Sequence, residues 1–275
     1  MTRLFLSENL HVGQQLTIGG EQAHYLLRVV RCRPGERLAL VDATGQGFEA
    51  AVEACGPEAV EVRIVAVRAA AQEASFELDL FPALLKGRRI ELVIQKCTEL
   101  GVARIVPIIT ERTISRPEEE RTAGRVQRWR TIALEASRQC GRAKPPEVKA
   151  PASFAEALER VRASGIPGLL PYEGLAGDAE ASLGAALAAC GMTVSVMHES
   201  HPCMTETVMP RLRGRLAVFI GPEGGFSAGE VELARAAGLR TVSLGPRVLR
   251  AETASIAACA IILYEMDRCE NSPQE

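Results

Sequence analysis

The stretch that decides the fold reads LAVFIGPEGGFSAGE at 216–230 and is followed by TVSLGPRVLRAETA at 241–254. Its apolar start, Leu216–Ile220, predicts a strand buried on both faces. That strand stops at a glycine-rich turn, and Ser227 with Glu230 has the spacing of a capping box that begins a helix. The second part again predicts a strand, a glycine-bearing loop and a helix. We therefore expect both loops at one edge of a parallel sheet, where open α/β sheets bind their ligands.

The charge of the first loop bears on which ligand it takes. A phosphate cradle needs free backbone amides and usually a Lys or Arg in the loop. This loop carries Glu223 instead, and its glycine spacing is neither that of a P-loop nor G-x-G-x-x-G. A cofactor with a positively charged sulfonium, such as S-adenosylmethionine, fits such a loop better than a polyphosphate does. Glycine spacing alone leaves a simple packing turn as an equal alternative.

Five blocks of the chain resemble one protein family and occur in the expected order. The signature pair is GPEGGFS at 221–227 and LGPRVLRAETA at 244–254, which resembles that of the 16S ribosomal RNA (uracil-N3)-methyltransferases. The other blocks are HYLLRVVRCRPGE at 24–36, KGRRIELVIQKCTELGVARIVPIITERT at 86–113 and RWRTIALEASRQCGRAKPPEV at 128–148. The resemblance is weakest from 174 to 210, and the segment His198–Glu206 receives no role.

The resemblance implies an α/β fold of the SPOUT class, in which a parallel sheet carries a deep C-terminal trefoil knot. A small PUA-like β-barrel that binds RNA is implied before it. We expect the barrel at 1–72 and the methyltransferase domain, with the cofactor site and a dimer interface, at 73–275. The residue pattern fits, because short alternating strands fill the first part and strands alternate with helices in the second. The stretch 69–75 reads as a linker.

Composition excludes several other kinds of protein. A chain of 275 residues with 47% apolar and 24% charged residues is long enough for two globular domains. No apolar run approaches the ~18 residues of a membrane span, and the start lacks a signal-peptide core, so we expect a cytoplasmic protein without a membrane partner. Eight cysteines without C-x-x-C and four histidines without a helical pair predict reduced thiols and no metal site.

The distribution of charge favours an RNA partner more than the net charge of −2 does. From Lys86 to Lys149 there are 15 Lys and Arg against 8 Asp and Glu. One basic face can meet phosphate while the remaining surface is acidic. The alternative is a solvated, arginine-rich surface, or an ordinary amphipathic helix at 126–140. The residues predicted to contact RNA are Arg28, Arg31, Arg33, Arg112, Arg128, Arg138, Gln139 and Arg142.

The predicted cofactor site combines the backbone of the two loops with an apolar wall for the adenine ring. A third loop, Leu169–Glu173, is expected to join them. The residues predicted to bind S-adenosylmethionine are Leu169, Gly221, Pro222, Glu223, Gly224, Gly225, Leu244, Gly245, Val248, Leu249, Thr253 and Ala254.

The chemistry that the family implies requires loss of the proton on uracil N3, whose pKa is well above neutrality. Arg247 and Arg250 lie in the second loop, where a cation stabilises a uracil anion. Glu252 or Glu223 is a candidate proton acceptor. Glu252 has another interpretation, because a carboxylate is favoured at the start of a helix. The sequence offers no unique base.

The function we expect is S-adenosylmethionine-dependent methylation of N3 of one uridine in 16S rRNA of the small ribosomal subunit. Family members generally form dimers, which implies a homodimer here, with the apolar helix at 255–264 as the contact or as core. Alternatives are a SPOUT enzyme for transfer RNA (guanine N1 or ribose 2′-O) and a non-catalytic ribosome-assembly factor that binds RNA. A nucleotide-phosphate binder is disfavoured by the acidic loop.

Overall fold

A computed structural model describes residues 3–68, 76–114, 119–190 and 214–271, without the side chains of 119–121 and 268–271. The chain divides into two compact units. The first comprises Met1–Glu73 and Leu134–Pro145, and the second comprises Ala74–Ala133 and Pro146–Glu275. The predicted linker at 69–75 and the segment His198–Glu206 lie outside the described residues.

The first unit is built on one five-stranded sheet in the order β1-β3-β4-β5-β2. β1 and β3 are parallel and the other pairs are antiparallel. The predicted hairpin joins β3 to β4, and the Asp42 carboxylate accepts hydrogen bonds from the backbone of Thr44 at 2.8 Å and of Gln46 at 3.0 Å within its turn. The strands are β1 (Arg3–Phe5), β2 (Gln15–Ile18), β3 (Arg37–Val41), β4 (Gly47–Cys55) and β5 (Val60–Arg68).

The helical segment between β2 and β3 is only partly an α-helix. α1 (Gly20–His24) continues as a π-helical turn, Tyr25–Val30, which ends at Arg31 with a left-handed φ of 57°. Within the same unit the guanidinium of Arg138 lies 5.3 Å from the centre of the Tyr25 ring. The residues at 134–145 thus pack with the barrel strands, although no sequence pattern assigned them to that unit.

The second unit contains a six-stranded sheet in the order β13-β11-β12-β6-β7-β9, with every neighbouring pair parallel. A separate parallel pair is formed by β8 and β10. The strands are β6 (Glu77–Pro82), β7 (Arg104–Ile105), β8 (Ile108–Ile109), β9 (Glu147–Val148), β10 (Ala152–Ser153), β11 (Gly168–Pro171), β12 (Arg215–Ile220) and β13 (Arg240–Val242). The helices are α2 (Arg89–Leu100), α3 (Glu119–Cys140), α4 (Phe154–Ser164), α5 (Leu183–Ala189), α6 (Ala228–Ala236) and α7 (Ala251–Asn271).

The strand β12 is buried on both faces, as its continuous apolar sequence predicted. Val218 and its alternate neighbours join one core with residues of α2 and α7, while Phe219 joins a second core with residues of α4 and α6. Phe219 stacks on Phe81 of the neighbouring strand with ring centres 4.4 Å apart. Helices therefore cover both faces of the sheet, which leaves its strand-end loops as the place for a site.

Local signals set most helix ends as expected. Gly101 ends α2 with a φ of 113°, and Ser227 caps α6 in a complete capping box with Glu230. α3 begins at Glu119, earlier than the helix at 126–140 that the sequence indicated. Acidic residues are favoured in a first helical turn, which accounts for the earlier start.

The observed α/β architecture, with an all-β unit before a parallel sheet, confirms the predicted fold class. The trefoil knot and the domain boundary between 72 and 73 stay predictions. In the part of the chain that the structure describes, no helix is long and apolar enough to cross a membrane.

Candidate active site

The site lies where three adjacent parallel strands end. β13, β11 and β12 are neighbours in the sheet, so the loops that follow their carboxyl ends meet at one edge. A cavity of about 400 Å³ is enclosed by these loops. The two loops predicted from glycine spacing and the third loop expected after β11 therefore form one site in the second unit.

Most of the predicted cofactor residues line this cavity. Leu169 lies buried within β11, and the structure does not bring Leu169, Gly224, Thr253 or Glu252 to the cavity wall. The predicted residues that do line it are Gly221, Pro222, Glu223, Gly225, Leu244, Gly245, Val248, Leu249 and Ala254, together with Arg247 and Arg250. Pro171, Tyr172 and Glu173 of the predicted third loop also line it. The wall further contains residues not selected from the sequence, which are Arg89, Ala176, Ile220, Phe226, Ser243 and Ala251.

The first loop needs glycine at two of its three glycine positions. Gly225 has a φ of 68°, and a Cβ placed there would lie 2.8 Å from Cδ of Glu173, closer than real Cβ contacts occur. A Cβ on Gly221 would lie 3.2 Å from the Phe226 ring, which is tight. At Gly224 the nearest atoms belong to the Arg112 side chain at 3.5 Å, an ordinary contact. Glycine is therefore required at Gly225 mainly by its φ, since the Glu173 side chain can move, and at Gly221 by the Phe226 ring.

Polar contacts from distant parts of the chain hold the same loop in place. Oε1 of Glu223 accepts hydrogen bonds from Nη1 of Arg89 at 2.9 Å and from the Lys86 amide at 3.2 Å. The carbonyl of Gly224 accepts one from Nη1 of Arg112 at 2.7 Å. Glu223 is therefore occupied by two donors, which reduces its capacity to accept a substrate proton.

The helix that follows the loop has its first amides already satisfied. Oε2 of Glu230 accepts from the Ser227 amide at 2.9 Å, and Oγ of Ser227 accepts from the Glu230 amide at 3.3 Å. The second oxygen of Glu230 accepts from the Glu111 amide at 2.8 Å. A phosphate at this helix start would have to displace a carboxylate, so the geometry disfavours the nucleotide-phosphate alternative.

The rim of the cavity carries charges and an apolar surface. Arg247, Arg250 and Glu173 are exposed, and their side chains have no hydrogen-bond or ion-pair partner within the described residues. Leu244 and Leu249 are partly buried in the wall, while Val248 is 72% exposed. The cavity therefore has apolar side chains, Leu244 and Leu249, close in the wall to the two arginines and to the carboxylate of Glu173.

Glu252 lies in the first turn of α7 rather than in the wall. Its Oε2 is buried and has no hydrogen-bond partner among the described atoms. The start of a helix is positively polarised, which favours a carboxylate at that position. This placement fits the helix-start interpretation of Glu252.

The residues predicted to bind RNA are distributed over both units. In the first unit Arg28, Arg31, Arg33 and Gln139 are exposed, and burial lowers the pKa of Arg138.

In the second unit Arg128 forms a two-pronged pair with Glu91 at 2.7 and 2.9 Å, which raises the pKa of Arg128. Arg112 is held by the Gly224 carbonyl. Arg128 and Arg138 therefore have different neighbours. Arg142, which belongs to the first unit, is half-buried, and its carbonyl accepts a hydrogen bond from Nη1 of Arg3 at 2.7 Å. Across the ranges that the structure covers, no group of three or more His, Cys, Asp or Glu could hold a metal ion.

Comparison with known proteins identifies the class. Residues 72–263 match the family described as RNA methyltransferase domain, and residues 18–65 match the RNA methyltransferase PUA domain. The second match agrees with the PUA-like barrel predicted for the first part of the chain. The chain belongs to the RNA methyltransferase family.

Its relatives carry a more particular name. Ribosomal RNA small subunit methyltransferase E of Synechocystis sp. is 30% identical over 94% of this chain and 76% of its own length. The protein of the same name from Bacillus subtilis is 28% identical over 97% of this chain and 98% of its own. The crystal structure of that methyltransferase from Neisseria gonorrhoeae, bound to S-adenosyl methionine, is 31% identical, with a TM-score of 0.78 and coverage of 96% and 97%.

Proposed function

We propose that this protein methylates N3 of a specific uridine in 16S ribosomal RNA of the small subunit, with S-adenosylmethionine as methyl donor. The observation that carries the proposal is the single cavity formed by the loops after β11, β12 and β13. The names of the relatives and the cofactor bound to the Neisseria protein support the donor and the RNA class. The choice of uracil N3 is supported by the motif pair at 221–227 and 244–254.

The residues present fit this cofactor. Backbone of the first loop at Gly221 and Gly225 lines the cavity, and the φ of 68° at Gly225 favours glycine there. Leu244 and Leu249 offer the apolar wall that an adenine ring needs. When bound, S-adenosylmethionine supplies a methyl group on a positively charged sulfur, and its transfer depends mainly on positioning.

The two arginines on the rim serve the second substrate. Uracil gains negative charge on its carbonyl oxygens as N3 loses its proton, and Arg247 and Arg250 are placed to stabilise that charge. N3 lies on the Watson–Crick edge, so the target base must be unpaired when it enters the cavity.

The barrel at 1–72 is proposed to hold the RNA, and the SPOUT-type domain at 73–275, with its C-terminal knot, to carry the chemistry. Arg28, Arg31 and Arg33 are exposed cations that suit phosphate contacts. Such contacts fix orientation without reading sequence. We place the protein in the cytoplasm, where the small subunit is assembled.

A homodimer is part of the proposal. On α7, Ile261 and Tyr264 are 43% and 61% exposed, whereas Ile262 and Leu263 are buried in the core. The exposed pair is proposed to contact a second copy of the chain. Light scattering should give twice the monomer mass, and Ile261→Glu should lower it to the monomer mass. A monomeric wild type at micromolar concentration would remove the dimer from the proposal.

The decisive experiment incubates the protein with labelled S-adenosylmethionine and either free 16S rRNA or small subunits that lack the modification. We expect label at one uridine, identified as 3-methyluridine after nuclease digestion. Label in transfer RNA alone would assign the enzyme to another substrate. Absence of S-adenosylmethionine binding by calorimetry would instead indicate an assembly factor.

A further inference from the structure

The cavity wall contains two carboxylates, and they differ in how far other groups of the protein already hold them. Glu223 accepts hydrogen bonds from Arg89 and from the Lys86 amide. The Glu173 side chain is exposed at the cavity and has no hydrogen-bond or ion-pair partner in the described ranges. The hydrogen bonds and the ion pair at Oε1 of Glu223 stabilise its charged form, which makes this carboxylate a weaker proton acceptor. Glu173 has no such contact in that part of the chain.

The position of Glu173 is set by backbone rather than by side-chain partners. It begins the short 3₁₀ turn Glu173–Leu175 immediately after β11, and its carbonyl accepts the Ala176 amide at 3.0 Å. Its carboxylate occupies the space where a Cβ on Gly225 would begin. The absence of a side chain at Gly225 therefore lets this carboxylate lie against the loop proposed to cradle the cofactor.

We propose that Glu173 is the catalytic base that removes the N3 proton of the target uracil, an inference that rests on the proposed function. The N3–H bond breaks and its proton moves to a carboxylate oxygen of Glu173. The electron pair that remains on N3 forms the new bond to the methyl carbon, and the pair of the broken carbon–sulfur bond goes to sulfur. Charge and atoms balance without a further reactant.

The two carboxylates chosen from the sequence, Glu252 and Glu223, are less suited to accept the proton than Glu173 is. Glu252 does not line the cavity and lies at the polarised start of α7. Glu223 is needed to hold the loop. The cations Arg247 and Arg250 share the rim with Glu173, so a base and a stabiliser of the uracil anion face the same space.

The first test compares Glu173→Gln and Glu173→Ala with wild type. Loss of a general base lowers turnover about 10²–10⁴-fold. We expect this loss in both variants at saturating cofactor, while calorimetry gives a Kd for S-adenosylmethionine within about twofold of wild type. Glu180→Gln, an exposed carboxylate outside the cavity wall, is the matched control and should keep full turnover. Unchanged turnover of Glu173→Gln overturns the inference. A Kd raised tenfold or more with normal turnover at saturation also overturns it, because Glu173 would then be a cofactor anchor.

The second test varies the acidity of the proton itself. Fluorine at uracil C5 lowers the pKa of N3, so 5-fluorouridine at the target should restore much of the turnover of Glu173→Gln and change wild type little. The turnover of that variant should also rise with pH as N3 ionises in solution. Equal responses of wild type and variant to fluorine and to pH would refute the assignment.

A binding measurement without cofactor separates this inference from the proposed function. Wild type should bind RNA with uridine at the target more tightly than RNA with 3-methyluridine, which lacks the N3–H. Glu173→Ala should bind the two RNAs equally. If wild type produces no 3-methyluridine at all, the proposed function fails. If it does and the variants behave as wild type, only the role of Glu173 fails.

Discussion

Arg89 donates a hydrogen bond to Glu223 at 2.9 Å, although the two residues lie 134 positions apart in the chain. The pair joins the start of α2 to the loop after β12, and both residues line the cavity. An exposed ion pair contributes only about 0–1 kcal/mol by itself. Its main effect is therefore to position the loop, and Arg89 is a positioning residue.

Arg89→Ala should raise the Kd for S-adenosylmethionine about two- to fivefold and leave the melting temperature nearly unchanged. Without this ion pair the loop is less ordered before binding, so it loses more conformational entropy when the cofactor binds. Calorimetry measures the Kd. Arg235→Ala is the control, because it breaks a similar surface pair with Glu232 on α6. Equal Kd values for both variants would contradict the positioning role.

Gly225→Ala and Gly224→Ala form a matched pair of neighbouring substitutions. At Gly225 the new Cβ meets the Glu173 carboxylate and the φ of 68° strains any L-residue. At Gly224 it makes an ordinary contact with Arg112. We expect Gly225→Ala to lower cofactor affinity at least tenfold and stability by about 1–3 kcal/mol, with little change for Gly224→Ala. Calorimetry and urea unfolding test this, and a reversed order of the two variants would refute it.

The capping box of α6 should matter more than the similar box of α4. Both have complete reciprocal bonds, but Ser227 and Glu230 are buried while Ser153 and Glu156 are exposed. Loss of a cap costs about 0.5–2 kcal/mol. Glu230→Ala also leaves the Glu111 amide without its acceptor, so it should exceed Glu156→Ala by at least 1 kcal/mol in urea unfolding. Equal losses would show that the contact to Glu111 contributes nothing.

Asp79 should make stability depend on pH between about 4 and 6. Its Oδ2 accepts from Arg104 at 3.0 Å and Arg215 at 2.7 Å, yet burial dominates and raises its pKa from 3.8 to about 6. The folded protein then holds this proton more tightly than the unfolded chain. The free energy of unfolding therefore falls as pH rises through that window, by about 3 kcal/mol.

Asp79→Asn removes this titration and serves as the comparison. Urea unfolding at pH 4 and pH 7 should show wild type losing stability relative to the variant as the pH rises. The opposite trend would mean that the two arginines outweigh the cost of burying the carboxylate.

Arg31→Gly removes a positive charge from the barrel and still allows the backbone conformation that Arg31 adopts. Arg31 has a φ of 57°, and within the described ranges no other residue except glycine has a positive φ. Glycine adopts that conformation without strain, so the variant should be at least as stable as wild type. RNA affinity should fall, and the slope of log affinity against log salt should decrease by about one. Arg37→Ala, which breaks a pair with Glu49, is the control and should change the slope less. Equal slopes for wild type and Arg31→Gly would remove Arg31 from the RNA surface.

Local patterns predicted the fold well because they depend on neighbouring residues. The run Leu216–Ile220 and the Ser227 cap each follow from a few adjacent side chains. The third loop of the cavity was anticipated, but Arg89 as part of its wall and the pairing of Glu173 with Gly225 were not. These contacts join segments about 50 to 130 positions apart, and no periodicity records such a contact.

Two other differences have local causes that the sequence hides. The π-helical turn Tyr25–Val30 has the same apolar residues as an ordinary helix, and its extra residue per turn is set by packing. The continuation of α3 to Glu119 was obscured by charge, which is typical of loops and of helix starts alike.

The helix α3 contributes its last part, from Leu134, to the unit formed by the first 73 residues. A genetic cut after residue 72 would therefore remove Tyr25 from its partner Arg138 and Arg3 from the carbonyl of Arg142. The first unit is made of two separate pieces of the chain, so residues 1–72 alone do not contain all of it. Any engineered chimera must bring 134–145 along.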